Sequence, residues 1–171
     1  MKQRAARMAK VLAVAFIAWM WFFAFVIASR ESANNIKDKE WSARSEKTCA
    51  AAGARRGELA DLSKIDPDDP RVVKEKARII DLATDTIEDA LDEIEKDSPA
   101  TAKGRELVPE WLDDYRTYIR NRREYAASLG TGVISEFTES QIEGIPISEK
   151  IGKFARENRM PSCQPPRDLQ A

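Results

Sequence analysis

VLAVAFIAWMWFFAFVIAS, residues 11–29, is a run of 19 residues without a charge. At ~1.5 Å of rise per residue a helix of this run spans roughly 28 Å, close to the ~30 Å hydrocarbon core of a bilayer. A buried helix of a water-soluble domain is rarely apolar on every face. The stretch therefore predicts one transmembrane helix and makes membrane lipid the first expected partner. Its flanks set the direction. Lys2, Arg4, Arg7 and Lys10 precede it with no acid among them, whereas Arg30 is followed by the mixed stretch 31–40. Positive-inside logic places residues 1–10 in the cytoplasm as a basic tail and residues 30–166 outside, with a loose C-terminus at 167–171.

The competing reading is a cleaved signal peptide. Its charged start fits, and Val26-x-Ala28 loosely resembles a cleavage site, but signal cores run ~7–15 residues. Within the run, Phe16, Trp19 and Phe23 share one helical face. They either face lipid or form a surface for a membrane-protein partner. The small-residue spacings Ala5-xxx-Ala9-xxx-Ala13 and Ala24-xxx-Ala28 would permit close approach of a second helix.

The charge balance continues the asymmetry. Four of the 28 basic residues lie in 1–29, which leaves 24 basic and 29 acidic residues beyond, a net −5. An acidic domain is a poor nucleic-acid binder, because phosphate neutralisation supplies most of that affinity. The chain holds no histidine, so the commonest general base, metal ligand and pH switch are missing together.

Cys49 and Cys163 are the only cysteines, and both fall in the expected exterior portion. An even count on an oxidising side favours a disulfide. Two free thiols or a bridge to another chain are the alternatives. A redox pair would want closer spacing, and two cysteines without histidine make a poor zinc site.

The exterior portion reads as helices. The first is expected from about Asn35 to Ser63, with a stripe of Trp41, Ser45, Thr48, Ala52, Arg55, Leu59 and Leu62. Pro67 and Pro70 break the chain, and Asp69 before Pro70 suits an N-cap. The aspartates there lack the spacing of a calcium loop. The second helix, about Pro70 to Lys96, carries a seven-residue repeat: Val73, Ala77, Ile80, Thr84, Ile87, Leu91 and Ile94. Its other face is acidic, either solvated or a docking face for a basic partner. Residues 98–104 read as a connection. The third helix is expected from Val108 or Pro109 to Leu129, capped by Gly130. Its stripe is Val108, Trp111, Tyr115, Tyr118, Arg122, Tyr125 and Leu129, with Leu112, Ile119 and Ala126 beside it. Arginines interleaved with tyrosines can bind single strands. Here they are read as core-flanking, paired with acids. Residues 131–147 read as a long loop, a frequent seat of function. Ser148 is expected to cap a short helix to about Asn158.

The order of aromatic and cysteine positions resembles a group of small actinobacterial single-pass membrane proteins. The stretches that carry it are Trp41 to Cys49, WLDDYRTYIRNRREYAASLGTG, FTES, GIPISEKIGKFARENRMPSC and PPRDL. The resemblance implies an envelope protein with a paired cysteine and carries over no catalytic residue.

The expected fold is all-α: one N-terminal transmembrane helix, then an extracytoplasmic antiparallel bundle of three longer helices plus a short C-terminal helix, closed by a disulfide. No catalytic, metal or cofactor constellation is legible. Paired carboxylates are too abundant here for any one pair to mean anything. The leading expectation is a structural or interaction protein, an accessory subunit or scaffold of an envelope complex and not an enzyme. The alternative is a ligand-binding or sensory module acting through a membrane partner, with Phe137 and Ile142 of the loop closing over Trp111 and Tyr118.

Overall fold

A computed structural model describes residues 2–23, 32–59, 70–133 and 136–169. The chain divides into two units, Met1–Ala33 and Asn34–Ala171.

The first unit is the helix α1, Lys2–Phe22. It begins earlier than the charge-free run, at the basic tail. Leu12, Val14, Phe16, Ile17, Trp19, Met20, Trp21, Phe22 and Phe23 are all between 48 and 67% exposed. Among the described residues no helix is long and apolar enough to cross a membrane. From Val11 to Phe23 the charge-free stretch holds 13 residues, only ~20 Å of helix. Residues 24–29 of the expected span lie outside the described residues.

The second unit is mostly helical. Helix α2 is Lys39–Gly57, shorter at both ends than expected. Asp38 decides its start: one carboxylate oxygen accepts from Trp41 N at 3.0 Å and the other from Ala100 N at 2.7 Å. A side chain accepting from the third residue onward is an N-cap, and Asp38 also ties the helix start to a distant connection. The break expected at Pro67 and the cap expected at Asp69 lie outside the described residues.

Helix α3 is Pro70–Glu95. Every member of its seven-residue repeat, from Val73 to Ile94, is buried. Helix α4 is Ala102–Gly130, six residues longer at its start than the sequence suggests. Thr101 caps it, accepting from Gly104 N at 3.0 Å. Gly104, read as a loop residue, lies inside the helix, and nothing larger fits there: a Cβ would lie 2.6 Å from Pro99 Cβ and 2.9 Å from Thr101 Oγ1. Pro109 sits within α4. At its far end the helix runs through Gly130 to the cap residue Thr131, and the left-handed position falls on Gly132 instead (φ 87°).

The helix directions follow from cross-contacts. Along α2, Arg44 bonds to Asp97 and Arg56 to Thr86. Along α4, Arg116 pairs with Glu95, whereas Arg123 pairs with Asp81, Asp85 and Glu88. In both cases rising numbers meet falling numbers on α3, so α3 runs antiparallel to both neighbours.

The loop expected at 131–147 holds a small hairpin, β1 (Gln141–Ile142) and β2 (Ile145–Pro146), with Ile142 opposite Ile145. Glu143 and Gly144 both have positive φ, 53° and 79°, the requirement of a tight hairpin turn. Helix α5, Ile147–Glu157, follows. Ser148 does not cap it through its own hydroxyl. Its N–H and Oγ both donate to Glu139, each at 2.8 Å, so a carboxylate from the preceding loop satisfies the helix start, where negative charge is favoured.

Cys49 and Cys163 form the expected disulfide, with Cα atoms 5.1 Å apart. Cys163 ends a 3₁₀ turn, Pro161–Cys163. The core around it contains Trp41, Trp111, Tyr115, Tyr118, Ile151, Phe154 and Met160. A second cluster joins Val73, Ala77 and Ile80 of α3 to Ala126 and Leu129 of α4.

Candidate functional site

Two places carry the site residues singled out above, and a third carries none of them. On α1, Phe16 and Trp19 have ring centroids 6.3 Å apart, and Trp19 stacks on Phe23 at 5.9 Å. The spacing therefore puts these rings in one file on the helix surface, as read from the sequence.

The second place is the aromatic interior. Trp111 lies edge-on to Tyr115 at 5.3 Å and stacks on Phe154 at 5.2 Å. Tyr115 leads to Tyr118 at 6.4 Å, and Tyr118 to Phe137 at 6.1 Å. The structure thus brings Trp111, Tyr118 and Phe137 into one chain of rings, through Tyr115. It does not bring Ile142 there: that side chain is 39% exposed on the hairpin. Trp111 and Tyr118 are fully enclosed, so this region is packed core and not a pocket under a lid. Tyr115 and Tyr118 donate to the carbonyls of Cys163 and Pro166, at 2.8 and 3.2 Å. Burial pushes both phenol pKa values up, which keeps the hydroxyls as donors. The indole N–H of Trp111 has no hydrogen-bond partner among the described residues.

Beside this core lies Arg122, a stripe residue with none of its side chain exposed. Its two terminal nitrogens reach the two oxygens of Asp168, each at 2.8 Å. Its Nε donates to Thr84 Oγ1 at 2.9 Å, and Thr84 donates on to Ile80 O. Its guanidinium also lies over the Tyr118 ring, 5.8 Å from the centroid. Burial alone would lower the Arg122 pKa; the bonds to Asp168 outweigh it and raise it. Asp168 lies beyond Pro166, where a loose tail was expected, and Leu169 packs on the second hydrophobic cluster. The tail is therefore tied down through residue 169.

The third place was not singled out from the sequence. An open cleft of about 670 Å³ runs between α5, the end of α2 and the C-terminal tail. Its lining includes Arg56, Arg156 and Arg167 with Ser148, Ser162 and Gln164. None of Trp111, Tyr118, Phe137 or Ile142 lines it. These arginines lie on three separate elements, so no local pattern could have grouped them. The one short-range signal is Gly152, four residues before Arg156 on the same face of α5.

The acidic face of α3 is largely occupied. Asp81, Asp85 and Glu88 converge on Arg123, and Glu95 meets Arg116. This agrees with reading the arginines of α4 as partners for acids. No group of acidic or cysteine side chains among the described residues is arranged to hold a metal ion.

No family model, curated protein or solved structure matches this chain.

Proposed function

We propose that the chain is a membrane-anchored structural or interaction protein, an accessory subunit or scaffold of a cell-envelope complex, with its helical domain outside the cytoplasm. The supporting observation is α1 with Phe23 after it, along which every large apolar side chain from Leu12 to Phe23 is about half exposed or more. Water does not tolerate so continuous an apolar surface. A bilayer, with the run continuing to Ser29, accommodates it. The basic tail and the disulfide agree on the orientation: positive charge inside, oxidised sulfur outside. The file Phe16–Trp19–Phe23 is the face offered to a membrane-protein partner. Nothing in the reading calls for nucleic acid, a cofactor or catalysis.

The test uses the full chain expressed in bacteria. Carbonate-washed membranes should retain it, and a thiol reagent applied to intact cells should label neither cysteine until the protein is reduced. Recovery in the soluble fraction, or ready labelling of both thiols, would reject the proposal. Replacing Phe16, Trp19 and Phe23 together by leucine should keep membrane retention and abolish crosslinking to the partner helix. Unchanged crosslinking would remove the partner face.

A further inference from the structure

We infer that the cleft between α5, the end of α2 and the C-terminal tail binds a phosphorylated polar small molecule through Arg56, Arg156 and Arg167. The cleft, about 670 Å³, is within the range of small-molecule sites. Its lining brings three arginines from three elements to one opening, in a unit that carries a net −5 beyond residue 29.

Two kinds of neighbour could use up those charges. The first is a carboxylate. Arg44, Arg78, Arg116, Arg122 and Arg123 each hold one. Among the described residues Arg56 and Arg156 instead meet only neutral oxygens: Arg56 the hydroxyl of Thr86 at 3.4 Å, and Arg156 the amide oxygen of Gln164 at 3.1 Å. Arg167 has no carboxylate in ion-pair distance among the described residues. The second is the pair of acids in the lining, Glu139 and Glu149. Glu139 is committed to Ser148 at the start of α5, and Glu149 is exposed to water. Neither forms an ion pair with the three arginines.

Gly152 keeps the place open. A Cβ there would lie 3.0 Å from a terminal nitrogen of Arg156 and 3.8 Å from Gln164 Oε1. The guanidinium therefore rests over bare backbone, with one edge fixed by Gln164. A guanidinium offers donors in a planar fork that matches phosphate oxygens two at a time. The Ser162 hydroxyl and Gln164 suit a polar remainder better than an acyl chain. This inference does not rest on the membrane anchor.

The test is titration of the full-length protein in zwitterionic detergent with inorganic pyrophosphate and glycerol phosphate, followed by calorimetry and by the backbone amides of Gly152, Ser162 and Gln164. Saturable binding with shifts confined to the cleft is expected. Arg156→Gln and Arg167→Gln should each weaken it about tenfold, whereas Arg120→Gln, on the exposed side of α4, should leave it within about twofold. Arg167 is exposed, so its variant reports binding even where Arg156→Gln unfolds. Short-chain phosphatidic acid tells the source: tighter binding than glycerol phosphate assigns a lipid headgroup, weaker binding a soluble phosphate ester, and both keep the site. No saturation in the millimolar range, or equal loss in Arg120→Gln, overturns it.

Discussion

Arg122 is a charge placed where water does not reach. It persists there because three partners share its five donors: Asp168 takes a two-pronged bond, Thr84 takes Nε, and the Tyr118 ring faces its plane. Removing one partner of a buried ion pair leaves the other uncompensated, at ~3–5 kcal/mol. Asp168 retains 24% side-chain exposure, so water partly screens the pair. Asp168→Asn should therefore cost about 3 kcal/mol in urea unfolding, at the lower end of that range. Arg122→Met, which removes the buried charge altogether, should cost less than Arg122→Ala, which adds a cavity. Part of this arrangement is visible in the chain. Thr84 and Arg122 are the polar members of two otherwise apolar stripes, and they bond to each other. Asp168 is not visible, because a tail rich in proline gives no period from which to infer a contact.

At the scale of elements, repeat and cap separate cleanly. The α3 repeat is legible to the residue, because period alone decides which side chains meet a neighbour. Ends are less legible, since they depend on partners far away in sequence. Asp38 caps α2 but also reaches Ala100, and Glu139 serves α5 from outside the helix. Burial would raise the Asp38 pKa; the backbone donors Trp41 and Ala100 outweigh it and hold the value below the ordinary 3.8. A lowered folded value means the stabilisation is fully present above the ordinary value and is lost as pH falls through the folded one. Asp38→Asn should thus flatten the acid limb of the stability profile and cost about 1 kcal/mol at neutral pH. Urea unfolding across the acid range measures both. Glycine gives a paired comparison. Gly104→Ala forces a Cβ against Pro99 and should destabilise by ~1–3 kcal/mol. In Gly53→Ala the nearest atom would be a flexible arginine tip at 3.7 Å, so that change should stabilise α2 by ~0.5–1 kcal/mol. Thermal melts of the two variants should move in opposite directions.

At the scale of the whole molecule, the cysteine count and the compartment reading suffice to predict the bridge, whereas the cleft depends on how three elements come together, and Gly152 before Arg156 is its one local trace. Cys49→Ser with Cys163→Ser should lower stability by up to ~4–5 kcal/mol if chain entropy is the main term, given the sequence separation of 114. A melt in the presence and absence of reductant checks this, and the double variant should show no difference between the two.

The ends of this domain are stitched together. Asn158 receives Ile36 N–H and donates to Asn34 O, each at 2.9 Å, and the disulfide closes the chain between Cys49, within α2, and Cys163, just beyond Asn158. Tension applied between residue 34 and the C-terminus is thus diverted across the bridge, and α3 and α4 stay off the load path. An oxidised molecule pulled in this way can pay out only its two short ends, and the 114-residue separation keeps about 400 Å of contour in reserve. Reduction would release that length, turning a stiff tether into a long compliant one.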